Sequence, residues 1–364
     1  MEYRNFDARR HECTLLGDSR KSETSDKSHT STNMATRPKP EVQQKKSNER
    51  KGHASVLSRT EDWVWDSWYV VEGDTLHAFT LTAPKLLGNP ELRHVNARVG
   101  HSVSHDGITW THLQDAIGPS DGDGFDSQAT WTGCIVREAN EWHMFYTGID
   151  REHRERRQAI GHAVSLDLNS WTRVATSPIV RATADYALLG NVHDGSEHFR
   201  DPWVFRHDGS WHMLVTASDP AGWGTIGHAT SPDLMTWDTR SPLVSNSGFK
   251  QLEVTQTICL DGQWVVLFCA AEKDVCRDDV LAGWGTYSAP ADGPLGPFHL
   301  DRAELFAPNV YAARAVLFRG QWVLFGFISD GTEAGFDGVI SDPLPLAMTN
   351  RGTVELTRSS RARR

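Results

Sequence analysis

A short motif returns three times along the chain and constrains the fold more than any other feature of the sequence. The copies read VGHSVSHDGITW at 99–110, IGHAVSLDLNSW at 160–171 and IGHATSPDLMTW at 226–237, with a weaker fourth, GTYSAPADGPLGPF, at 285–298. In each strong copy a glycine is followed by His one position later, Ser four later, Asp six later and Trp ten later. Self-similarity at a fixed period is the sequence signature of a repeat architecture.

A second, interleaved repeat indicates which secondary structure each unit contains. Short apolar, β-prone runs begin at Glu141, Ser210, Gln263 and Gln321, with a degenerate copy from Gly73. No stretch after residue 60 keeps a 3.6-residue apolar period over three turns, so the runs are typical of strands. Five units with four strands each predict an all-β fold, a single five-bladed β-propeller over residues 59–350. A β-sandwich with accidental repeats is the alternative.

The repeated residues are expected to be structural, because a propeller has one axial site whereas the motif occurs in several units. We expect each Trp to pack between blades. Each His is expected to fill a strand position or to bond to a neighbouring blade. Function is then expected where the repeat is not followed.

The two ends of the chain differ in composition from its middle. Residues 1–58 are polar and are expected to be disordered, and residues 351–364 form a basic C-terminal tail. Residues 1–60 hold 13 Lys+Arg and 8 Asp+Glu, which leaves 24 and 39 for the remainder, a net charge of −15. An acidic body argues against nucleic acid as a partner and fits a neutral substrate.

The sequence also bears on compartment and metals. No run approaches 18 apolar residues, so we expect no membrane partner, and the first 20 residues lack the apolar core of a secretory signal. Five cysteines without metal-ligand spacing suit a reduced, cytoplasmic protein. We expect no cofactor and no metal. Asp123 and Asp126 are interpreted as loop residues, and although a calcium role stays open, their spacing is not that of an EF-hand.

Three carboxylates break the repeat. Asp66 lies in VWDSW, Asp201 in RDP and Glu253 in QLEVTQ, each before a strand run of its own blade: the first, the third and the fourth. Because the innermost strands of a propeller run along its axis, these carboxylates are expected to meet at one end of the axis. Asp62, just before the first of them, is interpreted as structural.

In these motifs the sequence resembles the fructan-active glycoside hydrolases of families 32 and 68, five-bladed propellers, over roughly residues 61–345. The match is closest to family 68 at VWDSW and fits both families at RDP. The resemblance implies that Asp66 is the nucleophile, Asp201 the transition-state stabiliser and Glu253 the acid/base. It also implies a sugar subsite lined by three further residues, Trp65, Trp131 and Arg200.

These residue types suit the cleavage of a fructosyl bond, which passes through an oxocarbenium-like state. One carboxylate attacks the anomeric carbon while a protonated one donates to the leaving oxygen. Leu252 and Val254 flank Glu253, and an apolar setting would favour the protonated form that an acid needs. Arg200 would keep Asp201 ionised. Trp65, with Trp68, would form an apolar floor for the sugar.

The departures from the family pattern narrow the expected activity. Family 68 usually carries an acid two positions before the catalytic Glu and an Arg just after it, where this chain has Gln251 and Val254. With only about 14 residues after Asn350, we expect the chain to lack the β-sandwich that follows the propeller in family 32. We therefore expect a retaining hydrolase or fructosyltransferase acting on sucrose or short β-fructofuranosides, with hydrolysis favoured over polymer synthesis. The alternatives are an inverting family-43-like arabinofuranosidase or xylosidase, and a non-catalytic sugar-binding propeller.

Overall fold

Five four-stranded antiparallel sheets make up the described part of the chain, and each follows the previous one in sequence. The computed structural model describes residues 57–190, 195–332 and 336–357. The blades are β1–β4 (Asp62–Glu72, Thr75–Pro84, Arg98–Ser104, Thr111–His112), β5–β8 (Ala129–Glu138, Glu141–Ile149, Gln158–Ser165, Thr172–Arg173), β9–β12 (Phe199–His207, Ser210–Ser218, Gly224–Ser231, Asp238–Arg240), β13–β16 (Glu253–Leu260, Gln263–Ala270, Gly285–Ala291, Glu304–Pro308) and β17–β20 (Val310–Phe318, Gln321–Ile328, Leu344–Met348, Val354–Leu356). Within the described ranges the helices are short 3₁₀ turns at Lys85–Leu87, Pro90–Asn96, Arg154–Arg156, Glu272–Asp274 and Leu300–Arg302.

This architecture confirms the predicted all-β, five-bladed propeller. The first strand of each blade is innermost, and these five strands neighbour one another in a ring that closes between β17 and β1. No helix in the described ranges is long and apolar enough to cross a membrane.

The predicted domain boundaries need correction at both ends. Leu57 had been assigned to the disordered segment, yet it is buried and bridges Ile340 in the fifth blade, with the Ile340 amide donating to its carbonyl at 3.0 Å. At the other end, β20 continues the last sheet past residue 350 to Leu356. Apolar burial in the last blade decides both boundaries. Residues 1–56 and 358–364, the rest of the two predicted tails, lie outside the described residues.

The repeated Trp packs between blades, as predicted. Trp171 of the second blade meets Phe79 of the first edge-on at 5.9 Å between ring centroids, and Trp237 of the third meets Phe145 of the second at 5.5 Å. Trp110 of the first blade contacts the fifth in the same way. Such aromatic edges supply apolar area and a preferred geometry at each blade interface.

The repeated His fills a strand position and bonds within its own blade. In the first three blades its Nε2 lies 3.0 Å from the Nδ1 of a second histidine on the neighbouring strand. The pairs are His77–His101, His143–His162 and His212–His228. The expected bond to a neighbouring blade is therefore replaced by a pair inside each sheet. One ring must donate and the other must accept, so each pair requires an uncharged partner.

Every innermost strand carries a bulge near its start. The register shifts beside Asp66 in β1, beside Thr132 in β5, and at the corresponding points of β9, β13 and β17. Four of the bulges place a non-glycine residue at positive φ, namely Asp66 (28°), Asp201 (58°), Val254 (54°) and Ala312 (46°). Bulges re-aim side chains and recur next to active sites, and here they turn two successive residues of each strand toward one cavity.

Candidate active site

A cavity of about 770 Å³ opens where the five innermost strands begin. Two successive residues from each of these strands line it, and together they form two rings of five. The first ring is Trp65, Trp131, Arg200, Glu253 and Tyr311; the second is Asp66, Thr132, Asp201, Val254 and Ala312. All six residues predicted from the sequence are members, so the three carboxylates do meet at one end of the axis.

Asp66 lies at the β1 bulge and accepts a hydrogen bond from the Thr132 hydroxyl of the next blade. Burial raises the pKa of the Asp66 carboxyl to about 7, and the negative charges of Asp201 and Glu253 add to the rise. The bond from Thr132 and the charge of Arg93 oppose it. Near neutral pH this carboxyl is therefore poised between its two protonation states.

Asp201 is almost wholly enclosed. Its Oδ2 accepts from the Thr216 hydroxyl at 2.9 Å and lies 3.4 Å from both the Val254 amide and Arg200 Nε. Arg200 lowers the pKa of this carboxyl, as expected, but burial outweighs it and the net shift is upward. Arg200 therefore favours the ionised form of Asp201, whereas burial favours the protonated form.

Glu253 reaches the more open part of the cavity, with 23 % of its side chain exposed against 5 % for Asp201. One carboxyl oxygen accepts from Arg200 Nη2, and the other accepts from the Tyr311 hydroxyl. The apolar setting suggested by Leu252 and Val254 is wrong for the carboxyl itself, because its partners come from β9 and β17.

The aromatic residues separate into two groups. Trp65 is buried at the cavity wall, and Trp131 stands beside it with its indole N–H donating to the His94 carbonyl at 2.7 Å. Trp68 instead stacks on Phe79 inside the first blade and does not line the cavity, so its expected role in the floor is wrong. Alternation along β1 sends neighbouring side chains to different sides, and the bulge at Asp66 resets that alternation.

Sequence reasoning missed Thr132 and Tyr311. A signal was available in the starts of the five innermost strands, which read VWDS, TWTG, FRDP, LEVT and VYAA. When these segments are aligned, Thr132 stands level with Asp66, and Tyr311 stands level with Glu253. The repeats used for prediction came from the second and third strands, where these residues do not occur.

Three other acidic residues singled out in the sequence lie outside the cavity lining. Asp62 forms a two-pronged pair with Arg98 Nη2, at 3.0 Å to each oxygen, which matches its structural interpretation. Asp126 is buried and accepts from the Tyr146 hydroxyl and from Arg173 Nε. Asp123 is exposed. The described ranges contain no group of three or more His, Cys, Asp or Glu side chains placed to hold a metal ion.

A five-bladed propeller whose innermost strands bring three carboxylates, an arginine and two tryptophans to one axial cavity belongs to the class of carbohydrate-active propellers. Residues 88–292, more than half of the chain, match the model of the glycosyl hydrolases family 32 N-terminal domain. The chain belongs to glycosyl hydrolase family 32.

Relatives cover part of the chain. A sucrose-6-phosphate hydrolase from Bacillus subtilis (strain 168) is 29% identical over 157 residues, which are 42% of this chain and 29% of that protein. An insoluble β-fructofuranosidase, isoenzyme 5, from Oryza sativa subsp. japonica is 32% identical over 161 residues, 42% of this chain and 28% of that one. The match thus spans less than a third of each relative's length.

Solved structures share the fold over more of the chain. Bacillus subtilis levansucrase superimposes with a TM-score of 0.66 at 15% identity, covering 87% of this chain and 91% of that one. At this identity the likeness concerns the propeller alone.

Proposed function

We propose that the protein is a retaining glycosidase that acts on sucrose or short β-fructofuranosides, with hydrolysis favoured over polymer synthesis. The observation that carries the proposal is the meeting of Asp66, Asp201 and Glu253 at one cavity in a family 32 chain. The names of the two relatives, a sucrose-6-phosphate hydrolase and a β-fructofuranosidase, support the substrate class. Family membership also favours this reaction over the family-43-like and non-catalytic alternatives.

Asp66 is proposed as the nucleophile. Its carboxylate forms a bond to the anomeric carbon of the fructosyl unit as the bond to the leaving oxygen breaks. The Thr132 hydroxyl, which donates to Asp66, fixes the direction of the carboxyl group. The bulge supports the role because it points Asp66 into the cavity from a strand that is otherwise paired along its length.

Glu253 is proposed as the acid and then the base. It gives its proton to the leaving oxygen and later takes one from the water that hydrolyses the fructosyl-enzyme. Its greater exposure suits contact with the leaving group and with water. The acid role requires Glu253 to carry a proton when the substrate is bound.

The remaining predicted residues are proposed to bind the sugar. Asp201 can accept hydrogen bonds from vicinal hydroxyls of the fructosyl ring, while Trp65 and Trp131 offer apolar faces beside it. Arg200 contributes by holding Glu253 and Asp201. It also donates to the amide oxygen of Gln251 at 3.1 Å. Gln251 stands where family 68 usually has an acid, which supports hydrolysis or simple transfer over chain growth.

A substrate panel tests the proposal. The purified protein is incubated with sucrose, sucrose 6-phosphate, short fructans, levan, inulin and aryl arabinofuranosides, and the released sugars are quantified. We expect turnover of sucrose or a short fructoside and little of the polymers. Turnover of arabinofuranosides alone, or of nothing, would contradict the proposal.

The stereochemistry of the first product separates the nucleophile from a base. A covalent fructosyl-enzyme predicts retention of configuration, with transfer products at high substrate concentration, because the intermediate reacts with whichever acceptor enters. NMR of the first-formed anomer checks this. An inverted first product without transfer would assign Asp66 to water activation instead.

The compartment is part of the same proposal. The four cysteines in the described ranges, Cys134, Cys259, Cys269 and Cys276, form no disulfide, which supports work in the reducing cytoplasm. Fractionation of cells that express the native gene, followed by immunodetection, tests it. Recovery of the protein outside the cytoplasm would refute this part.

A further inference from the structure

We propose that Arg93, which lies outside the five innermost strands, is a positioning residue that favours the charged form of Asp66 and covers the cavity beside Trp65. The inference rests on the proposed function, because it assigns Asp66 the role of a nucleophile that must carry a charge. Arg93 comes from the loop between β2 and β3, and it lines the same cavity as the two rings.

The segment that carries Arg93 is held firmly in place. The 3₁₀ helix Pro90–Asn96 begins with a proline, and the Asn89 side chain accepts from the Glu91 amide at 2.9 Å. Two carbonyls of the same helix accept side-chain hydrogen bonds from β5 and the residue before it, His94 from Trp131 Nε1 and Val95 from Gln128 Nε2, both at 2.7 Å. The helix therefore holds a defined position over the mouth of the first two blades.

The guanidinium of Arg93 is fixed between aromatic rings. Its carbon lies 4.1 Å from the centroid of the Phe336 ring and 5.8 Å from that of Trp65, and only 11 % of the side chain is exposed. Within the described part of the chain, Arg93 donates hydrogen bonds through Nη1 alone, to the Pro90 carbonyl and to a Glu91 oxygen, both at 3.0 Å. The charge is thus oriented by stacking and is not bound up in a bidentate carboxylate pair.

Other charged groups surround Asp66. Asp201 from β9 and Glu253 from β13 both raise its pKa, as burial does. Arg200 is engaged with these same two acids. Arg314 of β17 donates to backbone carbonyls, at 2.7 Å to Thr255.

The nearby neutral groups add no positive charge. Burial lowers the pKa of His94 to about 4 and raises that of the Cys269 thiol to about 12, so both are uncharged near neutral pH. Arg93 lowers the pKa of Asp66, and the buried Arg314 also interacts with this carboxyl. Without Arg93, Asp66 would hold its proton to higher pH, and a protonated carboxyl cannot attack the anomeric carbon.

The pH profile of kcat/KM on the best substrate of the panel tests the inference. The variants are Arg93→Gln, Arg93→Lys and, as a charge-matched control from the same loop, Lys85→Gln. Lys85 donates to the carbonyls of Arg59 and Thr60 and does not line the cavity. We expect Arg93→Gln to move the acid limb of the kcat/KM profile to higher pH by about one unit. On the acid side kcat/KM should then fall about tenfold, and at pH values above the limb it should fall much less. Arg93→Lys should restore much of the shift, and Lys85→Gln should leave the profile unchanged.

An equal loss at every pH, or an unmoved acid limb in Arg93→Gln, would overturn the inference. If Arg93→Gln does not fold, Phe336→Leu, which removes the stacking ring, should shift the limb in the same direction by less, and no shift there would count equally against it.

A titration of ¹³C-carboxyl-labelled aspartates, with the Asp66 resonance assigned through Asp66→Asn, gives a readout that needs no substrate. If the wild type is inactive but the titration midpoint of Asp66 is higher in Arg93→Gln, the proposed function is wrong and the inference about Arg93 stands. If the wild type is active but the Asp66 midpoint is unchanged in Arg93→Gln, only the inference about Arg93 is wrong.

Discussion

The innermost strands and the strands beside them use the same five-fold framework in opposite ways. The second and third strands of the first three blades carry the same His pair, and the residue just before each fourth strand is the same Trp, which packs on a neighbouring blade. At the bulges of the innermost strands the residues differ from blade to blade, and all face one cavity. A repeated residue solves a problem that every blade has, whereas the single axial site needs a different group from each direction.

The repeated residues are not kept in all five blades. The His pair is found in blades one to three. In the fourth blade the position of the repeated His, which lies opposite Leu267, is occupied by Ser288. Yet the fourth and fifth blades contribute Glu253 and Tyr311 to the cavity. Loss of the repeat in a blade therefore does not mean loss of its part in the site.

The largest expected effect comes from the two carboxylates proposed to react. Asp66→Ala and Glu253→Ala should each lower kcat by about 10²–10⁴-fold or more, with little change in sugar binding or in the free energy of unfolding. Steady-state kinetics and calorimetric binding check this. Asp167→Ala, which alters an acid of the repeated turn, is the matched control and should leave kcat unchanged. Near-normal turnover in either site variant would refute the assigned roles.

Tyr311 tests whether the ring neighbours of the carboxylates matter. Tyr311→Phe removes the hydroxyl that donates to Glu253, and a hydrogen bond to a charged group contributes about 1.5–3 kcal/mol, so kcat/KM should fall about 10–100-fold. Tyr287→Phe is the control, since the Tyr287 hydroxyl donates to the Gly283 carbonyl at 2.8 Å, away from any carboxylate. If kcat/KM fell equally in Tyr311→Phe and Tyr287→Phe, the hydroxyl of Tyr311 would have no special role in the site.

An interblade Trp should affect stability and leave the chemistry alone. Trp237→Ala removes the edge contact with Phe145 and the bond from its indole N–H to the Leu234 carbonyl. Since the ring is half-buried, we expect a loss of about 2 kcal/mol in the free energy of unfolding, below the range for fully buried Trp. Urea unfolding measures it. A kcat per folded molecule that falls with stability would show that the interface also shapes the site.

The His pairs should make the framework sensitive to acid. Burial, followed by the partner ring, lowers the pKa of His162 from 6.5 to about 3, and His143 is shifted in the same direction. Below pH 6.5 these histidines bind protons in the unfolded chain but stay neutral in the folded one. The free energy of unfolding therefore decreases as the pH falls from about 6.5 toward 3, by up to about 1.4 kcal/mol per pH unit for each shifted histidine. Above pH 6.5 these groups have no effect.

Urea unfolding between pH 7.5 and 5 checks this dependence. The double variant His143→Gln/His162→Gln should show a shallower decline than the wild type. His105→Gln, at a side chain that is 71 % exposed, should not change the slope. Parallel declines in all three proteins would assign the acid sensitivity to other groups.

Much of the fold was predictable because its contacts repeat. Each blade is built from strands that are neighbours in sequence, so the spacing of the GH–S–D–W motif and of the apolar runs predicted the strand order. The boundaries were less predictable, because Leu57 and β20 have no repeat signal and are held by burial in the last blade.

Asp66, Asp201 and Glu253 could be found from the sequence because they interrupt that repeat within recognisable motifs. Their partners could not be found in the same way. Thr132, Tyr311 and Arg93 lie 66, 58 and 27 positions from the carboxyl groups they act on, and no local spacing joins them. Ring closure and the bulges bring these side chains together, and the shared burial of like charges sets the pKa of Asp66. The sequence alone therefore determined which residue types stand in each blade, and the tertiary structure decided which of them meet and how they are charged, because distance and desolvation arise only when the blades close.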